Sequence, residues 1–435
     1  MPRLTITNIG ALYTLTGLDG TSGKAATAVA PYLGAELVIE DGEVAYAGPA
    51  RQEPTAPKHS MGNPYPPAPE IRRPRSDVIE INAKGALVTP GLVDPHTHAV
   101  YGGDRASEMT LKLAGTPYLD ILARGGGILS TVRSTRAASD DELYEASATR
   151  LLTMLRHGTT TVEVKSGYGL STPEELRLLR IIEELGRELP LDVIPTFMGA
   201  HATPPEFQGD SEAYAEEVAG RMMPAVAKQG IARFCDVFCE PGVFSPSQTH
   251  AILGAAKSQS LLSKIHADEI ETDAGSSSGA EVAADIGATS ADHLRATNDK
   301  GFRRMAETGV IPVVLPATSF FLADHRYANT RRMIDECDLP VALATDDNPG
   351  TSPTESLQLV MVIAALELRM TPPEVLAGVT INAARAIEEH ESAGTLDLGK
   401  RGDAVIWRAY DLDMLPYRFG VNQAAMVVKR GNIVI

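Results

Sequence analysis

The residues best suited to chemistry are a few histidines and carboxylates that end short apolar runs. Asp94-Pro95-His96-Thr97-His98 closes the run that begins Gly91-Leu92-Val93. On an extended strand, positions i and i+2 share a face, so the imidazoles of His96 and His98 can reach one ion. His266 ends Ser263-Lys264-Ile265-His266 and is followed by Ala267-Asp268-Glu269. Asp292-His293 ends another run, and Thr345-Asp346-Asp347-Asn348 a further one. His96, His98, His266 and Asp346 together offer three nitrogens and one oxygen. That set leaves a coordination position open for water or hydroxide, as a catalytic zinc or iron site requires. Taken singly these residues say little, because a His-X-His pair arises by chance and a polar strand end can simply cap a helix. Their shared place at run ends is what points to a metal.

Ligands so far apart in sequence need a scaffold that gathers strand ends. Eight apolar runs recur, at 91–94, 161–164, 192–196, 234–238, 263–266, 288–293, 310–315 and 341–346. Most are separated by helical patterns. Pro173–Glu188 is the clearest, opened by Ser171-Thr172-Pro173-Glu174-Glu175, a capping residue followed by first-turn acids. Eight β-then-α units predict an α/β fold, a (β/α)8 TIM barrel, in which reacting groups sit at the C-terminal strand ends. The long gap between the first two runs predicts an extra loop with its own helix within 103–150. Both chain ends read as β, with Asp41-Gly42 between two apolar runs as a hairpin turn. The expected layout is a barrel over 88–390 and a small discontinuous β-sandwich domain from 1–87 plus 391–435. The proline-rich stretch 52–75 is expected to be a loop or insertion with no core-forming pattern.

Composition bounds the partners. The chain has 435 residues, with Lys+Arg 39 and Asp+Glu 56, a net charge of −17. Such an acid excess argues against coating nucleic acid or an anionic membrane, which needs basic surface. Small anions stay accessible to local positive charge. Three cysteines are too few for a disulfide framework, and Cys235 and Cys239 read as buried free thiols. No apolar run approaches a bilayer span, and the N-terminus alternates rather than forming a signal-peptide core. The expectation is a cytoplasmic protein, with a homodimer as the base-rate assembly.

Longer segments carry a resemblance. Val88-Thr89-Pro90-Gly91-Leu92-Val93-Asp94-Pro95-His96-Thr97-His98 resembles the opening strand of the amidohydrolase superfamily. Gly125-Gly126-Gly127-Ile128-Leu129-Ser130-Thr131-Val132, Glu163–Leu170, Phe197–His201, Lys264–Glu269, Ser290–Leu294 and Asp346–Glu355 are similar to the branch that opens the imidazolone ring in histidine degradation. The resemblance covers the whole chain and implies a substrate, 4-imidazolone-5-propanoate, and a product, N-formimidoyl-L-glutamate. It implies one zinc or iron ion on His96, His98, His266 and Asp346, the residues already chosen. It implies substrate contacts at Arg105, Tyr168, His201, Asn348, Gly350 and Thr351, and catalytic roles for Asp346, Glu269 and His293. Water activated on the ion would attack the ring carbonyl, with Asp346 as base and Glu269 and His293 assisting. By residue type alone Arg105 reads as a surface ion-pair residue, Tyr168 as loop packing and His201 as a strand end; the resemblance promotes them. Gly125–Gly127 lacks the ending of a phosphate loop and is expected to border the site. Lys165 lies on run two, not run four, so a carboxylated lysine bridging two metals is not expected. Ser276-Ser277-Ser278 lengthens the loop after run five, and Asp347 is an extra carboxylate expected to point away from the ion. Two other readings compete: a mononuclear deaminase of a purine- or pyrimidine-like heterocycle, and a non-catalytic scaffold on the same barrel.

Overall fold

The structure, a computed structural model, describes residues 3–51, 65–75, 77–114, 126–207, 209–270 and 278–435. Its centre is a sheet of eight parallel strands paired in chain order: Leu92–Asp94, Thr159–Lys165, Asp192–Ala200, Phe234–Cys239, Leu262–Ala267, Ser290–His293, Ile311–Val314 and Ala342–Leu343. All eight expected runs are therefore strands, and the (β/α)8 expectation holds. The ring is drawn together just beyond the strand ends. Thr97 and Asp347 form a parallel bridge, Asp346 N donates to His96 O (3.1 Å), and His98 N donates to Asp347 O (2.9 Å). Closure of the first strand on the eighth thus happens at the proposed ligands themselves.

The strands are buried on both faces, as a barrel covered by helices requires. Thr159–Lys165 is buried at every position although it carries Glu163 and Lys165, so polar residues fill part of the barrel interior. The helix Thr172–Glu188 begins after Ser171 with Pro173 in its first turn and buries Leu178, Leu179, Ile182 and Leu185. Among the described residues, the long interval after the first strand holds three helices, Ala106–Leu113, Ile128–Ala137 and Asp140–Arg156. The last opens with a capping box, Ser139 bonding Glu142 N and Glu142 bonding Ser139 N.

Both chain ends share a second, nine-stranded sheet. The strand Leu87–Pro90 pairs antiparallel with Ala404–Trp407 and parallel with Arg3–Leu12, which stitches the ends together. Asp41 and Gly42 both take positive φ, 51° and 87°, and join Tyr32–Glu40 to Glu43–Pro49 as the expected hairpin. The proline-rich stretch needs a correction. Glu70–Arg75 is not irregular but an exposed edge strand against Val78–Asn82. An edge tolerates Pro74, which lies where the pairing register shifts between Arg72 and Arg75, and its charges suit solvent. Residues 52–64 of that stretch lie outside the described residues. Cys235 and Cys239 are free and buried. Among the described residues no helix is long and apolar enough to cross a membrane.

Candidate active site

The C-terminal strand ends bring together the four residues expected to hold an ion. His96 Nε2 lies 3.5 Å and His98 Nε2 3.6 Å from Asp346 Oδ1. His266 Nε2 faces His98 Nε2 at 3.3 Å. Donor atoms of His96, His98 and Asp346 fall within 4.8 Å of one another, as do those of His96, His266 and His293. Among the described residues His96 Nε2 finds no hydrogen-bond partner although buried, the state expected of a lone pair kept for an ion, and His293 Nε2 beside it is likewise unpartnered. Burial, with neighbouring cationic groups, depresses the pKa of His96 and His98 well below the usual imidazole value, so both are neutral and able to ligate. The described residues thus form a histidine and aspartate cluster fitted to a divalent cation.

A second layer fixes these rings. His96 Nδ1 bonds Asp292 Oδ2 at 2.6 Å, and His266 Nδ1 bonds Asp236 Oδ1 at 3.0 Å. A carboxylate can only accept there while ionised, so the opposite nitrogen of each ring is turned toward the ion site. Thr318 Oγ1 donates to Asp346 Oδ2 at 2.6 Å, which leaves Oδ1 toward the histidines. Beneath lies Lys165, fully buried, with Nζ 2.8 Å from both Glu163 and Asp236. Burial opposes its charge, but Asp236, Glu163 and Asp292 outweigh that and raise its pKa. A lysine held cationic by carboxylates is not available as a carboxylated bridge. It also already supplies the cation beside Asp236 and Asp292, the carboxylates of a third donor group with His96.

Above the cluster opens a cavity of about 710 Å³ lined by His98, Arg105, Tyr168, His201, His266, Glu269, His293, Asp346, Asn348 and Thr351 among others. Glu269 has its pKa raised to about 8 by burial and by the nearby charge of Asp346, and its Oε2 is 3.6 Å from His293 Nε2. His201 Nδ1 lies 3.0 Å from Gly167 O, so this nitrogen donates and Nε2 is left as an acceptor. Burial depresses its pKa to about 3, and its ring stacks on His98 at 4.8 Å. Tyr168 is held in its protonated form by burial.

Arg105 is not a surface residue: its side chain is only 9% exposed. Its Nε and Nη2 donate to Glu108 Oε2 at 3.0 and 2.8 Å. Gly350 sits against the other edge, since a Cβ there would come 2.0 Å from Arg105 Nη1. Asn348 organises the neighbouring turn. Its Oδ1 accepts from Gly350 N (2.9 Å) and Thr351 N (2.8 Å), and its Nδ2 donates to Asp346 O (2.7 Å). Asp347 does not line the cavity. It is buried, and burial with the charge of Glu355 holds its pKa well above the usual carboxylate range.

Residues 87–434 match the amidohydrolase family. The imidazolonepropionase of Alkaliphilus metalliredigens is 49% identical over 359 residues, covering 82% of this chain and 84% of that protein. That of Caldanaerobacter subterraneus subsp. tengcongensis is 45% identical over 433 residues, covering 99% of this chain and 98% of its own. The chain belongs to the imidazolonepropionase branch of the amidohydrolase family. Solved structures with the same fold include E. coli guanine deaminase (TM-score 0.72, 15% identity, 100% of this chain and 99% of that one). Another is the 5-methylcytosine deaminase of Klebsiella pneumoniae (TM-score 0.73, 16% identity, 99% and 98%). At such identities they speak for the fold alone.

For this member of the family, sequence reading left several functional side chains without a role. Asp236 and Asp292 were visible as carboxylates within barrel runs, and inward-facing aspartates on strands were the available signal. Thr318 lies in the helix Pro316–Phe321 and Glu108 in Ala106–Leu113; neither stands in a pattern that marks it. Gly125 and Ser276-Ser277 lie outside the described residues. Gly127 precedes the helix Ile128–Ala137, and Ser278 caps Gly279–Ile286 by accepting from Glu281 N.

Proposed function

We propose that this protein hydrolyses 4-imidazolone-5-propanoate, opening the cyclic amide C–N bond with water to give N-formimidoyl-L-glutamate in histidine degradation. The observation that carries the reading is likeness to imidazolonepropionases over essentially the full length of both chains. A second support is a buried ligand cluster at the floor of a cavity that also holds an arginine. His96, His98, His266 and Asp346 would hold one zinc or iron ion. When bound, the ion supplies a nucleophile from water at neutral pH and polarises the scissile carbonyl.

The chain's own groups have distinct tasks. Asp346 Oδ1 accepts the proton of the attacking water, while Thr318 fixes the other oxygen. Glu269, with its raised pKa, carries a proton near neutrality and delivers it to the departing ring nitrogen. His293, kept neutral by burial, hydrogen-bonds the carbonyl oxygen as charge develops there. Tyr168 donates and His201 Nε2 accepts, a pair that orients the ring N–H and carbonyl. Arg105 takes the propanoate through Nη1, because its Nε side is already engaged. Asn348, with Gly350 and Thr351, shapes the turn against which the tail rests. The working form would be a cytoplasmic homodimer that binds this small anion and neither nucleic acid nor membrane. The small β domain (1–87 plus 391–435) would act as support for the barrel (88–390).

The test is to purify the protein, count its metal and follow loss of the imidazolone absorbance. Turnover with about one equivalent of zinc or iron is expected. Absence of turnover at full metal loading, with ammonia released from an aminated purine or pyrimidine instead, would overturn the reading in favour of a deaminase.

A further inference from the structure

Glu108 is a buried carboxylate on the first turn of Ala106–Leu113, with its side chain 7% exposed. Its two oxygens do different jobs. Oε2 receives Arg105 Nε and Nη2, a charge-assisted contact on one edge of the planar guanidinium. Oε1 receives Gly127 N at 2.7 Å, the residue preceding the helix Ile128–Ala137, and Ile128 lines the cavity. On the far edge Gly350 leaves room that any Cβ would fill. The guanidinium is therefore fixed between a carboxylate and a bare Cα. Among the described residues, nothing else takes Nη1 or the outer hydrogen of Nη2, and these are left to meet a ligand.

We infer that Glu108 is a positioning residue for substrate recognition: it sets the plane of Arg105, ties it to the Gly127 backbone, and so makes the site selective for a singly charged carboxylate tail at one distance from the ring. The inference rests on the ring-opening reading above, in which Arg105 binds that tail. Without Glu108 the arginine keeps its charge but loses its fixed direction.

Glu108→Gln tests this, because the amide keeps the shape but can accept on one side only. For the propanoate substrate KM should rise by roughly tenfold, the scale of one charge-assisted hydrogen bond, while kcat changes much less. For the neutral propanamide analogue, which has no anion for Arg105 to clamp, KM should be the same in wild type and variant. A rise of equal size for both substrates would mean general loosening and would overturn the inference. A second arm uses the Arg105→Ala background, where adding Glu108→Gln should leave KM nearly unchanged, because Glu108 acts on the tail through Arg105. Losses that multiply instead would also overturn it. Wild-type protein that does not open the imidazolone ring at all refutes the underlying reading, a result distinct from either failure of the variants.

Discussion

The barrel strand Asp192–Ala200 has a cluster of charge at each end, and the two are built differently. At its start, Asp192 meets Lys429 (2.6 Å), Arg401 (2.9 Å) and Arg430 (3.2 Å) from the C-terminal segment. Lys429 also holds Asp403, and Arg401 also holds Glu389. These contacts join the barrel to the small sheet, and each charge has an opposite partner. Beyond its other end, at His201, the histidine and aspartate cluster leaves His96 Nε2, His98 Nδ1 and His293 Nε2 without partners among the described residues. The backbone there is also strained: Asp346 and His293 adopt positive φ, 55° and 79°. One end is satisfied and serves stability; the other is left incomplete and can therefore bind and react.

The sharpest break of this contrast is Asp346→Ala. It should abolish metal retention and lower turnover by about 10³-fold or more, as loss of a catalytic unit does. Yet the metal-free variant should unfold no earlier than metal-free wild type, because a carboxylate that burial penalises has been removed. Metal analysis, turnover and thermal unfolding of the two apo proteins check this; a clear drop in apo stability would mean that the upper cluster is structural too. Next in size, Asp236→Asn should weaken metal binding by about 10–100-fold through loss of the contact that orients His266, read by competition with a chelator. Asp192→Asn inverts the pattern. Breaking a partly buried network should cost about 1–3 kcal/mol in urea unfolding, while kcat/KM of the folded protein stays at the wild-type value. A loss of activity without a loss of stability would refute the division between the ends.

The same contrast explains what was legible in the chain. Strands and candidate ligands could be read because each barrel strand is a short apolar run whose C-terminal end must carry any chemistry. His96, His98, His266 and Asp346 declare themselves by type and place. The edge strand Glu70–Arg75 was hidden, because an exposed edge has no apolar face to reveal it and its proline signals a loop. Thr318 and Glu108 act through one hydrogen-bonding side chain on a helix, and no periodicity marks such a residue. Arg105 was ambiguous for the opposite reason: arginine is common on surfaces, and only its burial against Glu108 and Gly350 distinguishes it.

The smallest effect expected is one of pH at the satisfied end. Burial alone would raise the pKa of Asp192, but Lys429, Arg401 and Arg430 outweigh it and the net shift is downward from 3.8. A carboxylate with a depressed folded pKa adds stability that is fully present above its unfolded value and fades as pH falls through the folded one. The stability gap between wild type and Asp192→Asn should therefore be constant from neutrality down to about pH 5 and should close below pH 3.8. Taking the difference cancels acid effects shared by both proteins, protonation of the candidate ion ligands among them. Urea midpoints across that range decide it. A gap that persists unchanged in strong acid would show that Asp192 contributes through packing and not through its charge, and the lower cluster would then not be the electrostatic counterpart of the upper one.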